Sequence, residues 1–322
     1  MVSDAEIQEA GATIRGGGLV AFATETVYGL GANALDAAAA AKVFASKGRP
    51  SFDPLIVHVA DAAAAWVLAD LGKLPAAVRD LPGALAGAFW PGPLTLVLPK
   101  RDVIPGIVTS GLETVGLRVP GHALARRLIA AAGVPVAAPS ANAFGGISPT
   151  RAEHVRVDCD MVLDGGPCTT GVESTVVGFG EAGAAVLRLG GTPVESIEAV
   201  VGGAVSVAQA GEKVASPGML DRHYAPRTPM RLTEKLEDAD PGELGGKAVG
   251  LLSLRGERGR GMGFRVIETL SATGDLTAAA AGLFEAMHRL DAAGLDLIVA
   301  EAVPDQGLGR AINDRLRRAA TP

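Results

Sequence analysis

The chain has 322 residues, of which 48% are hydrophobic and 20% charged, and this composition excludes a mostly disordered protein and predicts two globular domains. The formal net charge is −6 and neither half has a basic excess, which argues against a protein that mainly coats nucleic acid. No apolar run is as long as the about 18 residues that a membrane-spanning helix needs. The first residues are acidic, whereas the start of a signal peptide is basic, so we expect a cytoplasmic protein.

Short apolar runs alternate with helical patterns as far as about residue 200, which is typical of an α/β domain. We predict strands over residues 19–24, 54–59, 94–99, 115–120, 134–139 and 161–163. The clearest helix follows Asp36, a good N-cap, and extends over residues 37–46 before Gly48 and Pro50 stop it. The end of this helix therefore delivers Lys47 and Arg49 into a loop.

The periodicity fades near residue 205, where several prolines and glycines interrupt every candidate element. We predict a catalytic domain over residues 1–205, a linker over 206–246 and a small α/β domain over 247–322. The linker includes a polar motif from Ser216 to Pro226. In the last domain, strands 247–254 and 295–300 flank a helix over 276–293, and a final helix covers about 309–319. Residues 305–310 form either a site loop or a turn into that helix.

Common chemical signatures are missing from the sequence. It has no Walker A loop, HExxH, GxSxG or CxxC motif, which disfavours the standard nucleotide and hydrolase folds. Cys159 and Cys168 lack partners at metal-ligand spacing, so we expect both to be packing residues. No metal site is predicted within the protein itself.

Two polar segments follow or precede apolar strands. The first, TETVYGLG from Thr24 to Gly31, follows a strand and predicts a site loop, because it combines hydroxyls with glycines that let a ligand approach the backbone; the alternative is a simple polar turn. The second, KGRPSFDPLIVHV from Lys47 to Val59, places two cations near a helix end, where they could bind phosphates. The alternative is a solvated helix end, at which Lys and Arg are favoured by the helix dipole. His58 within it could be a core histidine or a ligand contact.

Other polar residues lie at the ends of apolar segments, where ligands collect in α/β sheets. These segments are TVGLRVP from Thr114, APSAN from Ala138 and GVESTV from Gly171. Arg118 within an apolar strand needs an anionic partner, which is either a substrate carboxylate or an internal Asp or Glu. Ser148, Pro149 and Thr150, with Glu153 following, are typical of a helix start with a capping box, although a hydroxyl there could touch phosphate.

Taken together and in order, these motifs resemble the YrdC/YciO family of threonylcarbamoyl-AMP synthases. The resemblance also includes FWPGPLTLVLP, and the segments SPGMLDRHYAP and GLGRAINDRLRRAA resemble the longer, two-domain form. Departures from the family pattern are Ala23, Phe144 and the Gly121-His122 pair. The resemblance implies a twisted open mixed sheet of the YrdC-like type, with a smaller Rossmann-like α/β C-terminal domain.

The resemblance also implies an activity: L-threonine, bicarbonate and ATP, with Mg²⁺, give threonylcarbamoyl-AMP and pyrophosphate. The product would be handed to the tRNA threonylcarbamoyl transferase, which modifies adenosine 37 of ANN-decoding tRNAs. By position, the threonine contacts would be Thr26, His58, Arg118, Ala138 and Ser174. The ATP contacts would be Arg49, Asp53, Thr114, Ser140, Asn142, Ser148, Arg188 and, from the linker, Tyr224. Lys47 and Arg49 would act on the phosphates as catalytic residues.

We expect the protein to be a monomer or weak dimer that neither associates with membranes nor binds nucleic acid stably. One alternative is an RNA-binding module of the same fold without synthase activity, which the acidic net charge disfavours. Another is a carbamoyl-transfer domain like those fused in hydrogenase maturation proteins, although the accompanying acylphosphatase and zinc-finger segments do not occur here. The last domain is expected to have a structural or gating role.

Overall fold

The computed structural model describes residues 2–208, 222–239 and 246–321, and within them a ten-stranded mixed sheet is followed by a four-stranded parallel sheet. The predicted α/β architecture of both units is confirmed. The first unit contains α1 (Asp4–Arg15), β1 (Val20–Phe22), β2 (Gly29–Asn33), α2 (Ala37–Lys47), β3 (Ile56–His58), α3 (Ala62–Leu68), α4 (Leu81–Phe89), β4 (Leu94–Pro99), β5 (Thr114–Arg118), α5 (Ala123–Ala132), β6 (Val136–Ala137), β7 (Met161–Leu163), β8 (Thr175–Gly180), β9 (Gly183–Arg188), α6 (Val194–Val201) and β10 (Ser206–Val207).

The large sheet has the strand order β10-β9-β8-β4-β5-β3-β6-β2-β1-β7. Strands β3 and β5 are parallel neighbours, and their register places His58 opposite Arg118 at the carboxyl ends of both strands. Strand β4 pairs antiparallel with β5 and parallel with β8. The centre of the sheet therefore brings together segments that are far apart in the sequence, and the candidate site is built from their ends.

Local signals explain the elements that the sequence predicts well. Asp36 caps α2 by accepting hydrogen bonds from the backbone N–H groups of Ala38 and Ala39, and Gly48 ends it in the left-handed conformation with φ 61°. Strands β4 and β7 have the predicted bounds, and the strands predicted over 19–24, 54–59, 115–120 and 134–139 form as shorter β1, β3, β5 and β6. Helix α2 extends one residue further, through Lys47, because the stop falls at Gly48.

Three local predictions are wrong. Residues 29–31 of the TETVYGLG motif belong to a strand, because β2 pairs with both β1 and β6 and so satisfies its backbone inside the sheet. Ser174 does not end an apolar strand but immediately precedes β8. The capping box after Ser148 does not form, since the short 3₁₀ helix over Ala152–His154 has Arg151 as its N-cap without a side-chain cap hydrogen bond.

The C-terminal unit contains β11 (Met230–Thr233), β12 (Val249–Ser253), β13 (Val266–Thr269), α7 (Leu276–Ala292), β14 (Leu297–Glu301) and α8 (Leu308–Ala319), with strand order β11-β14-β12-β13. All its strand pairs are parallel. Residues 305–310 form a turn and the start of α8, with Gly307 as its N-cap. Of the predicted linker motif, residues 216–221 lie outside the described residues.

Three buried hydrophobic clusters form among the described residues. The largest lies on the ten-stranded sheet and includes Cys168, which is buried as expected, with the partly buried Cys159 packed against it. The smallest lies on the four-stranded sheet, around Val249, Leu251 and Val299. The other combines α7 and α8 with Val27, Val172 and Tyr224, which also line the candidate site or lie next to it. The C-terminal unit therefore buries its helical face against the loops that form the site, and its packing contributes to their order.

Candidate functional site

A cleft opens at the ends of β3, β5 and β6, beside loops that pack into the two larger hydrophobic clusters. The cleft is open to solvent and has a volume of about 570 Å³. The residues around it come from the TETVYGLG, KGRPSFDPLIVHV, TVGLRVP, APSAN, GVESTV and SPGMLDRHYAP motifs, together with Arg188: Thr24, Thr26, Val27, Gly29, Arg49, Ile56, His58, Arg118, Ala138, Pro139, Ser140, Glu173, Ser174, Arg188, His223 and Tyr224. The structure thus brings together all five predicted threonine contacts, and Arg49, Ser140, Arg188 and Tyr224 of the predicted ATP contacts.

The anionic partner of Arg118 in the structure is an internal carboxylate, that of Glu25. Its Nη2 lies 2.5 Å from Oε1 of Glu25, while Nη1 donates to Oγ1 of Thr26 at 3.0 Å and Nε donates to the Gly92 carbonyl at 3.1 Å. Burial pushes the pKa of Glu25 up, but the charge of Arg118 and the hydrogen bonds outweigh it and lower that pKa. Two of the five guanidinium N–H groups have no hydrogen-bond acceptor within the described residues.

His58 lies beside Arg118 and is almost fully buried. Burial, with a smaller contribution from the Arg118 cation, lowers its pKa to about 3, so its ring is neutral at neutral pH. Its Nδ1 has no hydrogen-bond partner within the described residues. A buried ring nitrogen without a partner, on a residue that lines the cleft, indicates a ligand contact more than a satisfied core position.

A second group of cations lies around Arg49 and Arg188. Arg49 donates to the carbonyls of Asp53 and Pro54 at 3.0 Å, and its Nη2 is 2.8 Å from Oδ2 of Asp53. This last contact is ionic without hydrogen-bond alignment, since both Asp53 oxygens lack an aligned donor within the described residues. Burial raises the pKa of Asp53 and lowers that of Arg49. Arg188 donates to the carbonyl of Ser174 at 2.8 Å and to its Oγ at 3.1 Å.

Lys47 supports the wall of the cleft and is absent from its lining. Its ammonium donates to the carbonyls of Ser140 and Asn142, and the Asn142 side chain in turn donates to the carbonyls of Ala143 and Gly146. Burial lowers the pKa of Lys47 well below its usual value, and the nearby Arg49 cation adds to the effect. In the described structure, therefore, Lys47 positions the loop that carries Ser140.

Tyr224 closes one side of the cleft. It is 1% exposed, and its ring packs 5.6 Å from Phe284 and lies under the Arg315 guanidinium at 4.9 Å. Burial raises the pKa of Tyr224 to about 12, so it stays a neutral hydroxyl. The adjacent His223 also lines the cleft, and burial lowers its pKa to about 3.

Glu173 links the cleft to the C-terminal unit. One of its carboxylate oxygens accepts from Ser148 at 2.5 Å and the other accepts from Nε of Arg315 at 2.8 Å. Ser148 is thus a buried support and not a lining residue. The sequence analysis did not identify Glu25, Glu173, His223 and Arg315 as site residues, although the TETV, GVEST, DRHY and GLGRAINDRLRRAA motifs contain them, because their burial is not visible in the sequence.

Thr114 and Asp53 lie outside the lining of the main cleft. Thr114 begins β5, at the opposite end of that strand from Arg118, and faces a separate small cavity that it shares with Thr95, Thr109 and Gly116. Asp53 lies behind Arg49. The structure therefore places Asp53 behind a lining residue of the cleft and Thr114 in a different cavity.

Among the described residues, no group of three or more His, Cys, Asp or Glu side chains could hold a metal ion. Among the helices of the same residues, none is long and apolar enough to cross a membrane.

Comparison with known proteins agrees with this geometry. The family model named for Sua5, YciO and YrdC, described as telomere recombination, matches residues 12–190, and the model of the threonylcarbamoyl-AMP synthase C-terminal domain matches residues 192–321. Threonylcarbamoyl-AMP synthases of Bacillus subtilis and Pyrococcus abyssi are each 42% identical to this chain; the alignments cover 99% of it and 94% and 95% of those proteins. A crystal structure of P. abyssi Sua5 with L-threonine matches with a TM-score of 0.90 at 39% identity, over 99% of this chain and 95% of that one.

Proposed function

Because this chain belongs to the Sua5/YciO/YrdC family, in its form with the synthase C-terminal domain, we propose that it is an L-threonylcarbamoyladenylate synthase. As a nucleotidyltransferase, it condenses L-threonine, bicarbonate or carbon dioxide, and ATP into threonylcarbamoyl-AMP and pyrophosphate. The observation that carries the proposal is a single cleft with two kinds of arginine: Arg118 against Glu25 and His58, and Arg49 with Arg188 against Asp53 and Ser174.

The proposed reaction has two bond-forming steps. The threonine amine first attacks the carbon of bicarbonate, which forms an N–C bond and releases water, to give a carbamate. A carbamate oxygen then attacks the α-phosphorus of ATP, and pyrophosphate leaves as the α–β phosphoanhydride bond breaks. Neither step needs a covalent enzyme nucleophile, so positioning and charge neutralisation are the main contributions of the protein.

Arg118 supports the threonine end of this scheme. Its two N–H groups without an acceptor would hold the threonine carboxylate, a planar anion that matches the guanidinium fork. Thr26, Ala138 and Ser174 line the same cleft. With a pKa of about 3, His58 is too weak a base to keep a proton from an ammonium group, so we assign it the role of accepting a hydrogen bond and orienting threonine.

The nucleotide end of the proposal uses the second group of cations. Arg49 and Arg188 would neutralise the phosphates, and Ser140 and Tyr224 would border the nucleotide. Magnesium enters bound to the phosphates of ATP, as part of the substrate. Lys47, Asn142 and Ser148 would act on the nucleotide by holding the loops that contact it, while Asp53 would fix Arg49 and Thr114 would border the nucleotide from its own cavity.

We propose domains over 1–205 and 247–322 joined by a linker over 206–246, a division that the family matches at 12–190 and 192–321 support.

In the cell, the product would pass to the tRNA threonylcarbamoyl transferase in the cytoplasm. This chain would not bind RNA stably and would act as a monomer or weak dimer. The alternative of an RNA-binding module is not favoured, because full-length relatives are named as synthases.

Release of pyrophosphate tests the proposal. The assay contains ATP, magnesium, bicarbonate and L-threonine, and each component is omitted in turn or L-threonine is replaced by L-valine, which has a methyl group in place of the hydroxyl. We expect release only in the complete mixture, with the valine reaction slower because the hydroxyl contact is lost. Release that persists without L-threonine or bicarbonate would rule the synthase out.

A further inference from the structure

We propose that Glu25 is a positioning residue for threonine binding, because its carboxylate fixes the orientation of the Arg118 guanidinium and thereby aims the remaining N–H groups at the cleft. This inference rests on the proposed function, since it assigns Arg118 to the threonine carboxylate. Glu25 itself does not line the cleft, so it acts through Arg118.

Two backbone N–H groups donate hydrogen bonds to Glu25, one to its main-chain carbonyl and one to its carboxylate. Its backbone carbonyl accepts a hydrogen bond from the N–H of Thr170 at 2.7 Å, and its Oε2 accepts from the N–H of His122 at 3.2 Å. The residue is only 8% exposed. These two backbone donors fix the carboxylate independently of Arg118, so that Oε1 offers the guanidinium an acceptor at a defined position.

Among the three hydrogen-bond acceptors of Arg118, Glu25 is the strongest. The Thr26 hydroxyl and the Gly92 carbonyl are neutral acceptors at 3.0 and 3.1 Å, whereas Oε1 of Glu25 is ionised and lies 2.5 Å from Nη2. All three bonds have the cationic guanidinium as donor, but only the contact with Glu25 joins two opposite charges, and it is also the shortest of the three. The lowered pKa of Glu25 keeps it ionised at neutral pH. The direction of the guanidinium is therefore set mainly by Glu25.

Gly121 provides the space that the carboxylate needs. A Cβ atom at this position would lie 3.3 Å from Cδ and 3.4 Å from Oε1 of Glu25, which is tighter than an ordinary contact. An alanine there would push the carboxylate by a few tenths of an ångström and leave its charge in place. Gly121→Ala therefore separates the position of the carboxylate from its charge.

The test compares L-threonine affinity with ATP kinetics in the full-length protein. Isothermal titration calorimetry gives the Kd for L-threonine, and pyrophosphate release gives the KM for ATP. We expect Glu25→Ala to raise the Kd about 10-fold and Gly121→Ala about 3-fold, with the KM for ATP within about 2-fold of the original in both. Glu25→Gln keeps one acceptor for Arg118 and is expected to restore most of the affinity lost in Glu25→Ala.

Several outcomes would overturn the inference. A folded Glu25→Ala protein with unchanged threonine affinity would do so, as would equal losses in threonine affinity and in the KM for ATP, which indicate general disruption. If Glu25→Ala does not fold, Gly121→Ala decides, and an unchanged Kd there contradicts the positioning role. Failure of the proposed function is distinguished by the original protein, which would then not bind L-threonine at all.

Discussion

Nε of Arg315, on the last helix, donates a hydrogen bond to Oε2 of Glu173 in the wall of the cleft, at 2.8 Å and across 142 residues of sequence. Arg315 is completely buried; Nη1 also pairs with Asp314 and Nη2 donates to the carbonyl of Leu189. The guanidinium lies over the Tyr224 ring as well. Through this one side chain the C-terminal unit stabilises two residues that line the cleft.

Replacement of Arg315 by alanine should therefore destabilise the protein and impair the nucleotide side of the site. Loss of one partner of a buried ion pair costs about 3 to 5 kcal/mol, because Glu173 is left as a buried charge. We expect a lower midpoint of urea unfolding and a higher KM for ATP. Arg317→Ala is the matched control on the same helix, since Arg317 is 58% exposed. If Arg315→Ala and Arg317→Ala unfold at the same urea concentration, the pair has no stabilising role.

Arg118→Ala should raise the KM for L-threonine about 100-fold, because the carboxylate loses its charged hydrogen-bond partner. The same change leaves Glu25 buried without a cation, so some loss of stability is also expected. The double variant Arg118→Ala with Glu25→Gln should recover stability but not threonine affinity. Circular dichroism melting and threonine titration separate the two effects. Normal threonine affinity in Arg118→Ala would remove Arg118 from the carboxylate site.

Arg188→Ala should lower kcat/KM for ATP about 100-fold or more, since a buried donor to developing phosphate charge is worth roughly that factor. Affinity for L-threonine should change much less. Arg260→Ala serves as a surface control, because Arg260 is exposed and lies in the C-terminal unit. Pyrophosphate release at varied ATP concentration measures the effect. Equal kinetics of the Arg188 and Arg260 variants would contradict a nucleotide role for Arg188.

Buried neutral histidines should make the protein less stable in mild acid. His58 has a pKa of about 3 when folded and about 6.5 when unfolded, so the unfolded chain binds more protons between these values and stability rises with pH. Between pH 6.5 and pH 5 this amounts to about 2 kcal/mol for His58. His58→Asn should therefore lose less stability than the original protein between pH 7 and pH 5. Parallel losses in urea unfolding of the two proteins would contradict a depressed pKa.

Sequence patterns predicted those parts of the fold whose causes are local. The Asp36 cap and the Gly48 stop define α2, and the apolar run of β4 marks its own bounds. The strand β2 was missed because Gly29, Leu30 and Gly31 resemble a loop, and only pairing with β1 and β6 makes them a strand. Burial in the sheet overrides the local preference of glycine there.

The cleft could be predicted as a set of residues but not as a set of interactions. Arg118 visibly needed an anionic partner, yet Glu25 lies 93 residues away, and no local pattern pairs two residues at that separation. Arg315 was one of several arginines in the last helix, and only burial distinguishes it from Arg317 and Arg318. Counter-charges are selected by tertiary geometry, whereas residue types at strand ends follow from the local pattern.

Synthesis of threonylcarbamoyl-AMP is measured most directly by mass spectrometry of the quenched reaction with ¹³C-labelled bicarbonate, L-threonine and magnesium ATP. We expect a threonine–adenylate conjugate that carries one labelled carbon and forms in equal amount to pyrophosphate. The conjugate should be absent when L-threonine is omitted and strongly reduced in Arg118→Ala. Pyrophosphate released without any labelled conjugate, or a conjugate that contains no carbon from bicarbonate, would show that the enzyme catalyses a different reaction.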